Sequence, residues 1–139
     1  MKLDSSWSLA EGEFKSRRLL IRSREFSAEF DRSEFPIRLN VFWRMEEPHE
    51  DGLPSESEFL KLEAFENRIA DAVEVDNQSV LSVLLTCNGE REFVFHTRDR
   101  DEFLRRLTAM PQEEDRYPIE INSYDDPEWD YDKSVIPGA

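Results

Sequence analysis

One cysteine, two histidines and four glycines are a thin stock for chemistry in a chain of 139 residues. The single thiol, Cys87, can form neither an internal disulfide nor a cysteine-rich zinc site, which fits a reducing compartment. So few glycines leave no phosphate-cradling loop, and neither a nucleophile elbow nor a zincin motif is present. No run approaches the roughly 18 apolar residues of a membrane span. The opening MKLDSSWSLA lacks the basic start and apolar stretch of a secretory signal, so we expect a soluble, cytoplasmic protein without a membrane partner. Basic charge is scarce too, with 18 Lys and Arg against 32 Asp and Glu and a net charge of −14. Apolar bulk is not scarce. Ten Phe and three Trp within a 38% hydrophobic chain can build a core, so the 36% charged residues do not imply disorder. The length fits one domain.

The acid is segregated. Residues 13–44 carry a net charge of +3, residues 45–76 one of −9, and residues 112–132 one of −8. Such fields repel phosphate backbones and attract basic surfaces over roughly 8 Å at physiological salt. We therefore expect no nucleic acid partner and favour a basic protein.

Residues 1–35 read as an N-terminal β segment, with short strands at Trp7–Ala10 and Arg18–Arg22 around a turn at Glu11-Gly12-Glu13. Strict alternation from Phe35 to Arg44 predicts a strand with Ile37, Leu39, Val41 and Trp43 on one face. Ser55 with Glu58 three residues on has a capping-box pattern, and Phe59, Leu62, Phe65, Ile69 and Val73 recur at helical spacing. Val80–Cys87 and Arg91–Thr97 flank Asn88-Gly89, a strong hairpin signal. A second helix starts at Asp99 and stops before Pro111, and a short strand alternates through Tyr117, Ile119 and Ile121. From residue 36 to 124 the order is strand, helix, strand, strand, helix, strand. This predicts an α+β, ferredoxin-like split βαβ fold (βαββαβ), an antiparallel sheet with both helices on one face. Residues 125–139 form an acidic tail of the same single domain, 1–139.

A two-residue hairpin loop pairs Leu84 with Phe93, Val83 with Val94, Ser82 with Phe95 and Leu81 with His96. Arg38, Asn40, Phe42, Arg44, His96, Glu120 and Tyr124 then share the face away from the helices with Leu81, Val83 and Leu85. Those three should not stay bare, so the N-terminal segment or a second subunit must cover them.

Three segments, Asp51-Gly52-Leu53-Pro54, Asn88-Gly89-Glu90-Arg91-Glu92-Phe93-Val94-Phe95-His96-Thr97 and Asp126-Pro127-Glu128-Trp129-Asp130-Tyr131, together resemble the bacterial family of unknown function DUF 695. The resemblance runs from Trp7 to about Tyr131. It implies no activity and no catalytic residues. Some members of that family look related to the regulator of ribonuclease E activity B, a ferredoxin-like protein inhibitor, which by analogy implies a regulatory binding module.

No catalytic set emerges from the residues themselves. Cys87 and His96 stand at opposite ends of the hairpin strands, about 20 Å apart at roughly 3.3 Å per residue, too far for a nucleophile and its base. His49 among Glu46, Glu47, Glu50 and Asp51 has no fixed ligand spacing, so we expect no metal and no cofactor. We expect a non-enzymatic, acidic interaction module that binds a basic protein through Glu46, Glu47, Asp125, Asp126, Glu128, Trp129 and Tyr131, the aromatics serving as anchors among acids. The alternative is a small-ligand-binding domain or enzyme with a pocket on the open sheet face, using Arg38, Arg44, His96 and Glu120. A third reading makes that face a homodimer seam on Leu81, Val83 and Leu85.

Overall fold

The computed structural model describes residues 6–111 and 116–138. Its elements are β1 (Trp7–Phe14), β2 (Arg17–Arg24), β3 (Ile37–Arg44), α1 (Glu56–Glu74), β4 (Ser79–Cys87), β5 (Glu90–Thr97), α2 (Arg100–Ala109), β6 (Ile119–Asp125) and α3 (Asp130–Val135). The strands form a six-stranded sheet in the order β1-β2-β4-β5-β3-β6, with every pairing antiparallel. Strands β4-β5-β3-β6, with α1 joining β3 to β4 and α2 joining β5 to β6, are the expected ferredoxin-like core. The β1–β2 hairpin extends that core along the β4 edge. No helix among the described residues is long and apolar enough to cross a membrane.

The hairpin turn at Asn88 and Gly89 has φ of 50° and 80°, the paired left-handed geometry whose twist matches the flanking strands. The N-terminal turn differs from expectation. It lies at Lys15 and Ser16, with φ of 51° and 66°, and the strands run straight through Glu11-Gly12-Glu13. Lys-Ser carries no hairpin signal, whereas glycine between two acids imitates one.

Helix α1 buries Leu62, Phe65, Ile69 and Val73 against Leu39, Val41, Trp43, Phe93 and Phe95. Phe65 sits at its centre, with its ring 5.3 Å from those of Trp43 and Phe93. Ser55 caps the helix by accepting the Glu58 amide at 3.3 Å. Glu58 does not complete a capping box. It is buried, and its carboxylate accepts from the Trp43 indole at 3.1 Å and the Glu46 amide at 2.8 Å. Phe59, expected inside, is exposed.

The expected pairing of β4 with β5 holds at Leu84↔Phe93 and Val83↔Val94, then slips. Leu81 pairs with Phe95 and Val80 with His96, so Ser82 is an extra residue in a β-bulge. One slipped residue exchanges the faces beyond it. Leu81 therefore joins the core under the helices, and Val80 takes its expected place on the second face, beside Phe30, Phe35 and Trp129. Val83 and Leu85 do lie on that second face, but the chain covers them itself. Ile21 of β2 packs beside them, and Tyr131, Val135 and Ile136 pack over them. No bare apolar seam remains there.

Candidate functional site

Residues from both expected sites meet in one cluster on the second face. The Trp129 indole lies flat on the His96 ring, with centroids 3.8 Å apart and planes 7° apart, and donates to the Phe35 carbonyl at 3.0 Å. Fully buried His96 places Nε2 2.8 Å from the Asp132 carboxylate, to which it donates. Asp126 accepts from Arg38 at 2.7 Å and from the amides of Asp130 and Tyr131 at 2.9 and 3.3 Å, so it also caps α3. Burial alone would raise the Asp126 carboxyl, but Arg38 and those two amides hold it below its ordinary value. The Arg38 guanidinium lies over the rings of Tyr124 and Tyr131. The Tyr131 hydroxyl donates to Glu92 at 2.6 Å, and Asn40 donates to the same oxygen at 2.7 Å. Burial first, and then this acceptor, push the tyrosine hydroxyl well above its usual range.

Arg38, His96, Asp126, Trp129 and Tyr131 thus clasp the tail onto the sheet. Trp129 and Asp126, expected as partner anchors, are buried within the chain, where both hold the tail. Asp125 and Glu128 remain exposed, as do Glu46 and Glu47. The two acidic segments do not form one patch. Asp125 pairs with Ile37 at one end of β3, whereas Glu46 and Glu47 follow Arg44 at the other. Seven residues of strand separate those ends by about 23 Å. Glu120, opposite Phe42 on the β6 edge, is exposed. Cys87 pairs with Glu90 and His96 with Val80, at opposite ends of β4.

One of the expected pocket residues, Arg44, does border a groove. This groove, of about 780 Å³, opens on the second face beside α3. Leu19, Leu85, Cys87, Glu90 and Glu92 form its floor. Phe14, Lys15 and Arg17 of the N-terminal hairpin make one wall, and Tyr131, Ser134 and Val135 of the tail make another. Arg44 and Glu90 are strand partners across β3 and β5. Among the described residues, neither side chain makes a hydrogen bond or an ion pair within 4 Å. Burial foremost raises the Glu90 carboxyl above its ordinary value; Glu92 and Glu120 add repulsion and Arg44 partly opposes. Nothing in the sequence marked Phe14, Lys15 or Val135 as walls, because only the pairing of β2 with β4 and the return of the tail bring them there. Among the described residues, no group of three or more His, Cys, Asp or Glu is placed to hold a metal ion.

The chain matches the model of the Family of unknown function (DUF695) over residues 5–133. It belongs to that family. No curated protein and no solved structure matches it. In this DUF695 chain the second of the three segments that carry the resemblance touches both of the others. Gly52 accepts the Gly89 amide at 2.9 Å, and a Cβ at Gly52 would stand 2.7 Å from Asn88, so the first segment clamps the hairpin turn. The third segment clasps the hairpin's second strand through Trp129 on His96 and Tyr131 on Glu92. Between the two clamps lies the groove.

Proposed function

We propose that this DUF695 chain is a non-catalytic binding module that takes a small polar ligand in the groove beside α3. The observation that carries this reading is the juxtaposition of Arg44 and Glu90, an unpaired cation and an unpaired, partly desolvated carboxylate, on an otherwise amphipathic floor. Leaving the half-buried Glu90 carboxylate without a hydrogen-bond partner is costly unless a ligand supplies one, and the exposed Arg44 beside it stands open to an anion. The fitting ligand offers an anionic group to Arg44 and a hydrogen-bond donor to Glu90, with an apolar body over Leu19 and Leu85. The groove's size falls within the range of small-molecule sites, roughly 300–1,000 Å³. Absence of catalysis is supported by His96, which is buried beneath Trp129 and bonded to Asp132, far from Cys87.

A thermal-shift screen with small zwitterions and amphipathic acids tests the reading, since a ligand at 100 times its Kd stabilises by about 2.7 kcal/mol. A stabiliser that loses its effect on Arg44→Ala and on Glu90→Gln supports it. A screen without a stabiliser, or one whose stabilisers ignore both substitutions, overturns it.

A second reading, a basic protein partner, is favoured by the loop that follows β3. Glu46 and Glu47 are exposed, and among the described residues neither carboxylate is engaged. The resemblance to the regulator of ribonuclease E activity B would make such binding regulatory. Neutralising Glu46 and Glu47 together should abolish low-salt capture of a basic protein; undiminished capture removes this reading.

A further inference from the structure

The opposite face of the sheet holds a second unpaired cation. Where β1 and β2 extend the sheet, a groove of about 410 Å³ is walled by Leu9, Leu20, Leu84 and Thr86, with Arg22, Arg91 and Glu11, whose carboxylate is held by Arg18, at its polar side. The register puts Arg91 opposite Thr86, Thr86 opposite Leu20 and Leu84 opposite Arg22, so these side chains share one face of three adjacent strands. The two arginines are not equivalent. Arg22 is satisfied, because both of its terminal nitrogens bond the Glu66 carboxylate, at 3.3 and 2.9 Å, and its guanidinium lies over Trp7. Arg91 makes one hydrogen bond, from Nε to the Thr86 hydroxyl at 2.9 Å. Its terminal nitrogens have no partner among the described residues, and no carboxylate lies within 4 Å of them. Glu66, the acid that acts on it from a distance, is already held by Arg22.

We infer that this groove is a binding site for a carboxylate carried on a short apolar chain, with the carboxylate on Arg91 and the chain along Leu20, Leu84 and Leu9. A guanidinium fork matches a carboxylate bidentately, and a half-buried one gains most from such a partner. Burial foremost pushes Arg91 below its ordinary value, with Glu66 opposing and Arg22 adding repulsion. The apolar half of the ligand is specified by Leu9, which stands 79% exposed on an edge strand next to the apolar floor. This site lies across the sheet from the groove beside α3 and is independent of the function proposed for it.

The test uses octanoate as the probe and 1-octanol as its uncharged counterpart, titrated into the full chain and followed by amide chemical shifts. We expect saturable octanoate binding that shifts the Leu9, Leu20, Leu84 and Arg91 amides, with octanol at least tenfold weaker. Arg91→Gln should weaken octanoate at least tenfold. Because Arg91 is half-buried, Leu9→Asp serves as a second variant at an exposed position, and it should also weaken octanoate by removing apolar wall and adding repulsion. No saturable binding, equal affinity for octanoate and octanol, or affinity unchanged in a folded variant overturns the inference. Shifts confined to the residues around Arg44 and Glu90 overturn it as well and assign the acid to the other groove.

Discussion

The Glu74 carboxylate accepts the backbone amide of Leu81 at 2.7 Å, beside the residue where β4 slips its register. The same carboxylate holds Arg24 of β2 through both oxygens, at 2.9 and 3.3 Å. One side chain at the end of α1 therefore satisfies an amide at the bulge and ties the N-terminal hairpin to the core. Both partners of the ion pair are largely buried, with 10% and 13% of their side chains exposed. Removing the acid leaves a charge and an amide stranded, which costs about 3 kcal/mol or more. Glu74→Ala should lower the urea unfolding midpoint by that measure. Glu74→Gln should lose less, because its amide oxygen can still accept from Leu81. Equal losses in the two variants would show that the bulge does not depend on this acceptor.

Trp129 holds the tail by its stack on His96 and its bond to Phe35, and it does so in the left-handed region, with φ of 56°. A non-glycine residue is kept there only when surrounding contacts dictate it. Truncating a buried indole costs about 3–5 kcal/mol. Trp129→Ala should therefore release α3 before the sheet fails. Hydrogen exchange that accelerates at Asp130–Val135 while β5 stays protected would establish this order. Uniform acceleration would mean that the tail and sheet unfold as one unit.

The helices and core strands were legible because local signals agreed with the burial pattern: Ser55 and Asp99 do cap α1 and α2, and Asn88-Gly89 does turn β4 into β5. Three features were not legible, each for a physical reason. A bulge at Ser82 has no compositional mark, since the Glu74 carboxylate that accepts the neighbouring Leu81 amide comes from another element. Glu58 looked like a capping residue because only tertiary structure brings Trp43 and the Glu46 amide to it. The acids and aromatics of Asp126–Tyr131 admit two readings in sequence, a docking tail and a segment whose aromatics tuck against the sheet. Arg38, 88 positions away from Asp126, supplies the ion pair that holds the segment on the sheet. Arg44 was recognisable as a site residue from its face on β3, but the walls of its groove depended on non-local pairing.

Acid should loosen the clasp at Asp126. Its folded value lies below the ordinary carboxylate value of about 3.9, so its contribution is present above that pH and is lost as pH falls through the lower folded value. Other carboxyls act in the same window. Hydrogen bonds from Arg106 hold Asp76 at about 2, and those from Arg105 and then Arg106 hold Glu102 at about 2. Both of those are solvent-screened, so the informative quantity is the difference between wild type and Asp126→Asn. Asp126→Asn should be less stable at pH 6, and the gap should close as the pH falls below about 4. A gap that stays constant with pH would mean that Asp126 acts through shape rather than charge.

Glu90 has the opposite sign, and this links the fold to the proposed site. Its carboxyl is raised above its ordinary value by burial first, so the ionised form is disfavoured in the folded chain. An unfolded glutamate titrates near 4.3, and below that pH both states are protonated and the penalty vanishes. Above the raised folded value the penalty is complete. Glu90→Gln should therefore raise the urea midpoint at pH 7 and give no advantage below about pH 4. Arg44 partly offsets the penalty, so Arg44→Ala should cost more stability at pH 7 in wild type than in the Glu90→Gln background. A Gln variant no more stable than wild type at pH 7 would mean that water or the chain already satisfies Glu90, removing the reason to assign it a ligand. A more stable variant that no longer responds to the groove's ligand would show stability given up for binding, as expected where a fold keeps an unpartnered charge for use.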